Sequence, residues 1–412
     1  MNILFLTQIL PYPPDAGPRV KTWHVLRYLA GQGHKITLVS FVRADEQKYV
    51  EEVRRQGIEF FPVPIRRSRI ADVGYWLRSN LSGLPFLIER DNLPEMRKRI
   101  DTLLTERQFH AIHADQLTMT QFVPLERAGK NQHMVRVFDA HNATWSIMER
   151  MKDNARAILK PVLALEQQRI KKYEGRIVKA FEHTLTVTDI DRELLLDAVA
   201  VVDHAAKNAA RERIVTVPIT IDTMQLKPTT RQPGSLNILT LGTLHYMPNA
   251  DGIRWFLNEI FPRVRRELPN ATLTIIGKNP PADFLQAAQQ EPDTIQVTGY
   301  VEDLTPYFER AALMVVPVRA GSGMRVRILE AFSRAMPVVT TTVGLEGIEA
   351  RPGEDVLVAD TPSDFAAQVV CLARDTQLQE RLANNGRSLA VKKYDWQVAL
   401  RLMNSLYQGA KR

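Results

Sequence analysis

The sequence predicts an α/β protein built from two doubly wound parallel-sheet domains. At 412 residues the chain is longer than one compact core usually requires. Short apolar strands alternate with amphipathic helices in both halves. The alternation stops once, at the Pro-, Thr- and Gly-containing residues 227–236, which we interpret as a linker. We therefore expect a first domain at 1–226, a second domain at 237–394, and a terminal helix at 395–412 that packs on the first domain.

The composition is that of a globular protein with excess positive charge. Hydrophobic residues make up 45% and charged residues 24%, which excludes a disordered chain. A single cysteine, Cys371, excludes an internal disulfide and a cysteine-based zinc site. The net charge of +8 suits an anionic partner such as a phosphorylated small molecule or a lipid surface. No nucleic-acid module is recognisable, so we expect no nucleic-acid partner.

The chain begins with an apolar segment that we interpret as a buried strand. It lacks the basic leader and small-residue cleavage site of a signal peptide. No apolar run approaches the ~20 residues that cross a bilayer. We expect a cytoplasmic protein, with peripheral association at the inner face of the membrane as a further possibility.

The strands of the first domain are short and apolar, and a helix at 19–33 connects the first two. We predict strands at 2–7, 35–41, 109–115, 134–141 and 183–189. A long basic helical stretch at 149–180 should break near Pro161, because proline removes a helical hydrogen bond.

A second series of strands follows the linker. We predict them at 237–242, 271–277, 295–299, 313–318, 337–341 and 355–360. Ligands of open parallel sheets bind beyond the carboxyl ends of the strands. The loops that follow these strands are therefore the first place to look for a site.

One such loop, in the stretch PVRAGSGMRVRILEA, has the features of an anion site. Gly321 and Gly323 permit a close backbone approach, and a helix starting near Met324 would direct free amides at a ligand. Arg325 in the first turn would oppose the helix dipole by about 0.3 kcal/mol or more unless an anion bridges it to the amides. Glu330 lies five residues on, about 7.5 Å along the axis, which is roughly the offset between a diphosphate and a ribose.

A structural explanation of the same helix stays open. Ile328, Leu329 and Phe332 form an apolar stripe that needs burial whether or not the helix binds a ligand. Glu330 and Arg334 are spaced as an i, i+4 ion pair, worth ~0.3 to 0.5 kcal/mol at a surface. Taken alone, a strand, two glycines and a helix are a weak signal.

Residues 313–349 resemble the donor-binding segment of glycosyltransferase family four, in the subgroup with a GSGMR-type motif. The resemblance extends over nearly the whole chain, through PYPPDAGPRVKTWHVLRYLAGQGHKITLVS, FDAHNATW, VPITID, GTLHYMPNADGIRWF, VTGYVEDLTPYFERA and KKYDWQVAL. It implies the GT-B fold, with two Rossmann-like domains that face a central cleft. It also implies retaining, metal-independent transfer from a nucleoside diphosphate sugar to a glycan, lipid or small-molecule acceptor, with no cofactor.

The resemblance also implies roles for single residues, with two departures. In the family, two glutamates contact the nucleotide sugar donor. The first corresponds to Ser322 of this chain and the second to Glu330. The family's basic pair falls on Thr243 and on Pro248 or Asn249, so both positive charges are missing. Arg325, with His245 or Lys278, is the expected replacement.

Further candidates follow strand ends. His141 maps onto the family's histidine that faces the donor sugar, although a lone histidine is often structural. Gly17 could let the backbone approach a phosphate, or could simply belong to a proline-rich turn. The other donor-binding candidates are Gly242, Thr243, Gly323, Met324, Tyr300 and Val301.

Two more patterns have a simple explanation beside a functional one. Asp189 and Asp191 form an Asp-x-Asp pattern, but they precede a helix, so we assign Thr188 or Asp189 as its N-cap and predict no metal site. Basic and aromatic residues at 66–78, together with 96–99, could lie on an anionic membrane or be a solvated face. The alternatives to a transferase are a sugar-nucleotide epimerase of the same fold and a non-catalytic sugar-nucleotide-binding scaffold.

Overall fold

The computed structural model describes residues 1–126, 129–321 and 323–408, and it divides into two compact units. Unit 1 comprises Met1–Ile219 together with the chain from Ala399 onward, and unit 2 comprises Thr220–Val398. Each unit is built on one parallel sheet flanked by helices. The fold class predicted from the sequence, two parallel-sheet α/β domains, is confirmed.

The sheet of unit 1 has seven parallel strands. They are β1 (Asn2–Thr7), β2 (Lys35–Val42), β3 (Glu59–Pro64), β4 (Ala111–Asp115), β5 (Val135–Ala140), β6 (His183–Thr186) and β7 (Ile214–Thr216). Their order is β3-β2-β1-β4-β5-β6-β7, so the chain winds outward in both directions from β1. The strand order reverses between β1 and β4, the position at which doubly wound sheets bind ligands.

Two edge strands of this sheet were not predicted. The β3 strand contains Pro62 and Pro64, which lack the N–H group that a central strand needs. An edge position accepts them, because one side of the strand has no partner. The β7 strand has only three residues, too few for a recognisable alternation.

The helices of unit 1 cover both faces of its sheet. They are α1 (Gly17–Gly31), α2 (Val50–Arg54), α3 (Arg69–Ser82), α4 (Phe86–Asp91), α5 (Pro94–Glu106), α6 (Thr144–Asp153), α7 (Lys160–Ala180), α8 (Asp189–Val202) and α9 (Lys207–Arg211). The predicted break in the long helical stretch occurs between α6 and α7, and Pro161 lies in the first turn of α7, where its missing N–H costs nothing.

Unit 2 repeats this winding with six strands. They are β8 (Asn237–Leu241), β9 (Thr272–Ile276), β10 (Ile295–Gly299), β11 (Ala311–Val316), β12 (Val338–Thr340) and β13 (Leu357–Val358). The order is β10-β9-β8-β11-β12-β13, and every pair is parallel. The reversal of strand order therefore lies between β8 and β11.

The remaining helices follow in chain order. They are α10 (Met247–Trp255), α11 (Phe261–Glu267), α12 (Ala282–Gln290), α13 (Thr305–Arg310), α14 (Val326–Ser333), α15 (Pro362–Arg374), α16 (Thr376–Leu389), α17 (Trp396–Ala399) and α18 (Asn404–Gln408). Within the described residues, none combines the length and the apolar character that crossing a bilayer requires.

The boundary between the units lies ahead of the segment that we interpreted as a linker. Residues 227–236 are part of unit 2. The amide of Thr229 donates to the carbonyl of Arg334 at 2.9 Å, and that of Gln232 to the carbonyl of Glu309 at 2.7 Å. The loss of apolar periodicity in this segment therefore marks backbone that is held by hydrogen bonds at the surface of unit 2.

The carboxyl-terminal residues of unit 1 reach its core. Tyr407 is almost fully buried, and its hydroxyl lies 2.7 Å from Nδ1 of His113 on β4. The hydroxyl of Tyr28 on α1 donates to Oδ1 of Asn404 at 3.0 Å. The last described helix is therefore attached to α1 and to the central strands of the sheet.

Candidate functional site

The predicted donor-binding residues of unit 2 lie in the loops after β8, β9, β10 and β11. Gly242, Thr243 and His245 follow β8, and Lys278 follows β9. Tyr300 and Val301 follow β10, and Gly323, Met324 and Arg325 follow β11. Because these strands are parallel neighbours, all four loops leave the same edge of the sheet.

The loop after β11 contains the two glycines of the motif. Gly321 has φ of 110° and Gly323 has φ of 84°, in the region that favours glycine. Helix α14 begins at Val326, two residues later than we predicted, and Arg325 is its N-cap residue. The prediction that Arg325 lies in the first turn is therefore wrong. Its Nη1 donates to the carbonyl of Gly323, so the guanidinium folds back over the loop.

Met324 and Ser322 also belong to the motif. Met324 is 7% exposed, so its side chain packs inward. Ser322, which stands at the position of the family's first glutamate, lies outside the described residues.

Arg327, for which no sequence pattern indicated a role, joins α14 to the loop after β8. Its Nη1 donates to the carbonyl of Leu241 at 3.0 Å, and its Nη2 donates to Oδ1 of Asn249 at 2.8 Å. Asn249 in turn donates to the carbonyl of Thr243 at 3.1 Å. A positive charge therefore sits at the loop where the resemblance indicated a missing basic pair, but α14 supplies it.

Gly242 is required by this arrangement. A Cβ atom at this position would lie 2.7 Å from Nη1 of Arg327 and 3.4 Å from Nδ2 of Asn249. Burial and the neighbouring Arg325 lower the pKa of Arg327 to about 10, so the group stays positively charged at neutral pH. The guanidinium of Arg327 therefore packs directly on the backbone of Gly242, at the end of β8.

Glu330 lies one turn of α14 beyond Arg327 and is partly exposed. Burial raises the pKa of its carboxyl group, although Arg334 and Arg327 act in the opposite direction. Within residues 1–126, 129–321 and 323–408, no side chain donates a hydrogen bond to this carboxylate. The carboxylate is therefore an acceptor that is partly desolvated and available to a ligand.

The ion pair between Glu330 and Arg334 that we considered is not formed. The guanidinium of Arg334 lies over the ring of Phe308, with 4.9 Å between its Cζ and the ring centroid. Its Nη1 lies 3.5 Å from Oγ1 of Thr305. The apolar stripe of α14 is buried, as the structural explanation of the helix requires, but the ion pair that it offered for Glu330 is absent.

The loops after β9 and β10 bring two predicted residues together. The ammonium of Lys278 lies 4.5 Å from the centroid of the Tyr300 ring, and Tyr300 is 64% exposed. Thr243 and His245 are both exposed in the loop after β8, and Val301 is partly buried. This edge of the sheet therefore carries an exposed aromatic ring and a cation beside it.

In unit 1, His141 follows β5 and is paired with a carboxylate on the neighbouring strand. Its Nε2 lies 2.7 Å from Oδ1 of Asp115, the last residue of β4. Oδ2 of Asp115 accepts hydrogen bonds from Thr7 at 2.7 Å and from Thr22 at 3.0 Å. Both carboxylate oxygens are thus engaged, which fixes the ring of His141. Asp115 is the kind of polar residue at a strand end that the sequence could have flagged.

The residues after His141 are held by two more buried carboxylates. Asp191 accepts from the amide of Ala143 at 3.1 Å, and Glu174 accepts from the amides of Thr144 at 2.7 Å and Trp145 at 3.0 Å. Glu174 thereby caps the amino terminus of α6 from α7. Burial raises its pKa to about 7, although these amides oppose the shift.

A buried charged cluster lies behind this pair. Lys21 forms an ion pair with Asp139, and Nε2 of His113 lies 3.5 Å from the same carboxylate. Burial acts to raise the pKa of Asp139, but Lys21, followed by the two neighbouring histidines, holds it well below its ordinary range. His113, Asp115 and Asp139 are close enough to share an ion, with ligand atoms within 4.8 Å of one another. Tyr407 engages Nδ1 of His113, Thr7 and Thr22 engage Asp115, and Lys21 engages Oδ1 of Asp139. Among the described residues, Nε2 of His113 and Oδ2 of Asp139 are buried without a hydrogen-bond partner.

Gln116, the residue after Asp115, has φ of 75° and ψ of 156°. This backbone region is essentially reserved for glycine, and such strain concentrates at functional sites. The amide of Gln116 donates to the carbonyl of Asp139 at 3.0 Å, which anchors the strained residue to β5.

Gly17 and Thr188 both lie at helix starts in unit 1. Gly17 is the first residue of α1, with Ala16 as its N-cap. Thr188 is the N-cap of α8, and its hydroxyl accepts from the amide of Asp191 at 3.0 Å. The Asp-x-Asp pattern thus belongs to the first turn of a capped helix, as we predicted.

Comparisons with known proteins agree with this architecture. Residues 235–375, all within unit 2, match the family model described as glycosyl transferases group 1. A Klebsiella pneumoniae protein described as an uncharacterized 44.6 kDa protein in the cps region is 22% identical over 408 residues, or 96% of each chain.

Solved structures share the fold at low identity. HepE of Anabaena in complex with UDP and glucose has a TM-score of 0.64 at 13% identity, covering 98% of this chain and 99% of that one. Sucrose-phosphate synthase of Thermosynechococcus elongatus has a TM-score of 0.68 at 14% identity, covering 99% and 98%. Fold and domain match together define the class of protein: the chain is a glycosyltransferase of the GT-B fold. Its group 1 domain lies in unit 2.

Proposed function

We propose that this protein, as a family-four enzyme, transfers a sugar from a nucleoside diphosphate sugar to a glycan, lipid or small-molecule acceptor. The transfer retains the anomeric configuration and requires neither a metal ion nor a cofactor. One observation carries the proposal: two arginines and an unpartnered glutamate lie together at the start of α14, beyond the carboxyl end of β11. The complex of HepE with UDP and glucose supports a nucleotide sugar as donor.

The residues of unit 2 have separate roles in this proposal. Arg325, Arg327 and the first amides of α14 bind the diphosphate and stabilise the negative charge that it gains as the glycosidic bond breaks. Glu330 accepts hydrogen bonds from the ribose hydroxyls. Tyr300 stacks on the nucleobase, and the cation of Lys278 lies against the same ring.

Unit 1 contributes His141, which we propose hydrogen-bonds the transferred sugar near its reacting carbon. Asp115 fixes the orientation of the His141 ring, because the carboxylate of Asp115 is itself held by two threonine hydroxyls. Retention of configuration and metal independence follow from the family resemblance.

Incubation of the protein with UDP-, ADP- and GDP-sugars tests the proposal. Release of nucleoside diphosphate should depend on an added acceptor and persist in EDTA, and the product should keep the donor's anomeric configuration by NMR. Isomerised nucleotide sugar without an acceptor would indicate an epimerase. Binding without turnover for any acceptor would indicate a scaffold. Loss of activity in EDTA, with recovery on adding Mg²⁺ or Mn²⁺, would contradict metal independence.

A further inference from the structure

Helix α3 of unit 1 presents an apolar stripe to solvent. Ile70 is 87% exposed, Val73 60%, Leu77 54% and Leu81 89%. Their spacings of three and four residues place them on one face of the helix. Ser79, the buried residue of α3, lies on the opposite face at 100° per residue. The stripe therefore points away from the body of the unit.

A second apolar stripe lies at the start of α7. Ile158 is 83% exposed, Val162 50% and Leu165 46%, in the turn before α7 and in its first two turns. Arg169 follows on the same face of α7, and its guanidinium donates to Oδ1 of Asn80 at 3.2 Å and contacts Oγ of Ser79 at 3.4 Å. This contact attaches α7 to the carboxyl end of α3 through Arg169.

Basic residues surround the α3 stripe. Residues 66–82 contain Arg66, Arg67, Arg69 and Arg78 against one acidic residue, Asp72. Arg67 pairs with Asp91 and Arg78 with Glu89, whereas Arg66 and Arg69 form no ion pair among the described residues. Trp76, 47% exposed, flanks the stripe. Apolar residues with tryptophan and arginine at the margin are typical of helices that lie in a membrane interface.

The basic segment 96–99, which we grouped with this surface, is placed differently. Met96 is buried, Arg97 lies over the ring of Phe122, and Arg99 lies over the ring of Phe61. The arginines of this segment pack on aromatic side chains of unit 1. We therefore leave the segment out of the candidate surface, which consists of α3 and the start of α7.

We propose that α3 and the start of α7 lie in the headgroup region of a bilayer that contains anionic lipid. The apolar stripes would enter the boundary of the acyl chains, and Arg66 and Arg69 would contact lipid phosphates. A second copy of the chain is a poorer partner. A symmetric dimer would pair this surface with itself and bring the arginines of both copies together. The proposal does not depend on the sugar chemistry.

Sedimentation of the full chain with vesicles tests this surface without any nucleotide. We expect the protein to sediment with an equal mixture of phosphatidylcholine and phosphatidylglycerol, and not with phosphatidylcholine alone. The triple variant Ile70→Ser, Leu77→Ser, Leu81→Ser and the double variant Arg66→Glu, Arg69→Glu should each reduce the bound fraction roughly tenfold or more. These side chains are exposed, so the variants should fold. Ile190→Ser with Val201→Ser, exposed apolar residues of α8, is the matched control and should bind like the unmodified protein.

Trp76 provides a second readout, because its fluorescence should shift to the blue on adding the anionic vesicles, and Trp76→Phe should remove that shift. Failure of the unmodified protein to sediment, or undiminished sedimentation of the triple variant, would overturn the proposal. Self-association without lipid that the triple variant abolishes, combined with no vesicle binding, would assign the surface to a second copy and would also overturn it.

Discussion

His141 and the buried carboxylate of Asp115 form a hydrogen-bonded pair across neighbouring strands, with 2.7 Å between Nε2 and Oδ1. The second oxygen of the carboxylate is held by Thr7 and Thr22, which belong to β1 and α1. Three elements thus orient one histidine, and Thr7 and Asp115 end the two strands, β1 and β4, between which the strand order of unit 1 reverses. This is the expected setting for a side chain that must meet a substrate in one orientation.

The variant Asp115→Asn should therefore slow sugar transfer without weakening donor binding. The loss of a hydrogen bond to a charged group costs about 1.5 to 3 kcal/mol, so kcat should fall roughly 10- to 100-fold. KM for the nucleotide sugar should stay unchanged, because the proposed nucleotide site lies in unit 2. Steady-state kinetics measures both constants.

Asp101→Asn, on α5, is the control for this substitution and should leave both constants unchanged. If Asp115→Asn raised KM and left kcat as it is, the carboxylate would not position a reacting group.

Gly242 gives a test of the packing between β8 and Arg327. In Gly242→Ala the new methyl would meet Nη1 of Arg327 at 2.7 Å and displace the guanidinium. The affinity for UDP should fall roughly 10-fold or more, because a charge-assisted contact to phosphate is lost. The melting temperature should change little, since the clashing atom ends a flexible side chain. Calorimetric titration with UDP and thermal unfolding measure the two effects.

Gly31→Ala is the matched glycine control, because nothing lies within 4 Å of the position that its Cβ would take. It should bind UDP normally. Wild-type affinity in Gly242→Ala would mean that Arg327 has no part in the site.

Glu330→Gln separates the ribose contact from the phosphate contact. The variant should bind UDP roughly 10- to 100-fold more weakly, because a carboxylate acceptor becomes an amide. Its affinity for inorganic pyrophosphate should be unchanged. Burial raises the pKa of Glu330, so replacing the charged group should leave the melting temperature equal or higher. Equal weakening toward UDP and pyrophosphate would place the glutamate elsewhere than at the ribose.

Glu174 predicts a specific pH dependence of stability. Burial raises its pKa from 4.5 to about 7, so the folded chain binds the proton more tightly than the unfolded chain. The free energy of unfolding should therefore contain a contribution of about 3 kcal/mol that is full below pH ~4.5 and lost as the pH rises to ~7. Chemical denaturation across this range should be less pH-dependent in Glu174→Gln.

Glu95→Gln, at an exposed position of α5, is the control and should follow the unmodified protein. A Glu174→Gln variant with the full pH dependence would show that another group titrates in this range.

The sequence predicted the architecture because parallel strands that are covered on both faces appear in it as short runs of apolar residues. Residues 313–318 and 337–341 are examples: β11 overlaps the first range, and β12 lies within the second. It failed at the sheet edges of unit 1, where Pro62 and Pro64 contradict the usual composition of a strand.

The candidate site was predicted in part, for a physical reason. Glu330 and the glycine loop are local in sequence, so their spacing could be interpreted directly. The contacts of Arg327 with Leu241 and of Asp115 with His141 join segments far apart in the chain. Such pairs depend on which strands become neighbours, and periodicity carries no information on side chains that meet across a sheet edge.

Calorimetric titration of UDP into the unmodified protein, Arg325→Ala and Arg327→Ala tests the central claim most directly. We predict one site, with affinity reduced roughly 10- to 100-fold in each variant. The affinity for inorganic pyrophosphate should fall in parallel, because both arginines contact the diphosphate. Arg254→Ala, which removes an exposed arginine paired with Asp283 on the neighbouring surface, should bind as the unmodified protein does. UDP binding of undiminished affinity in both site variants would contradict a diphosphate site at the start of α14.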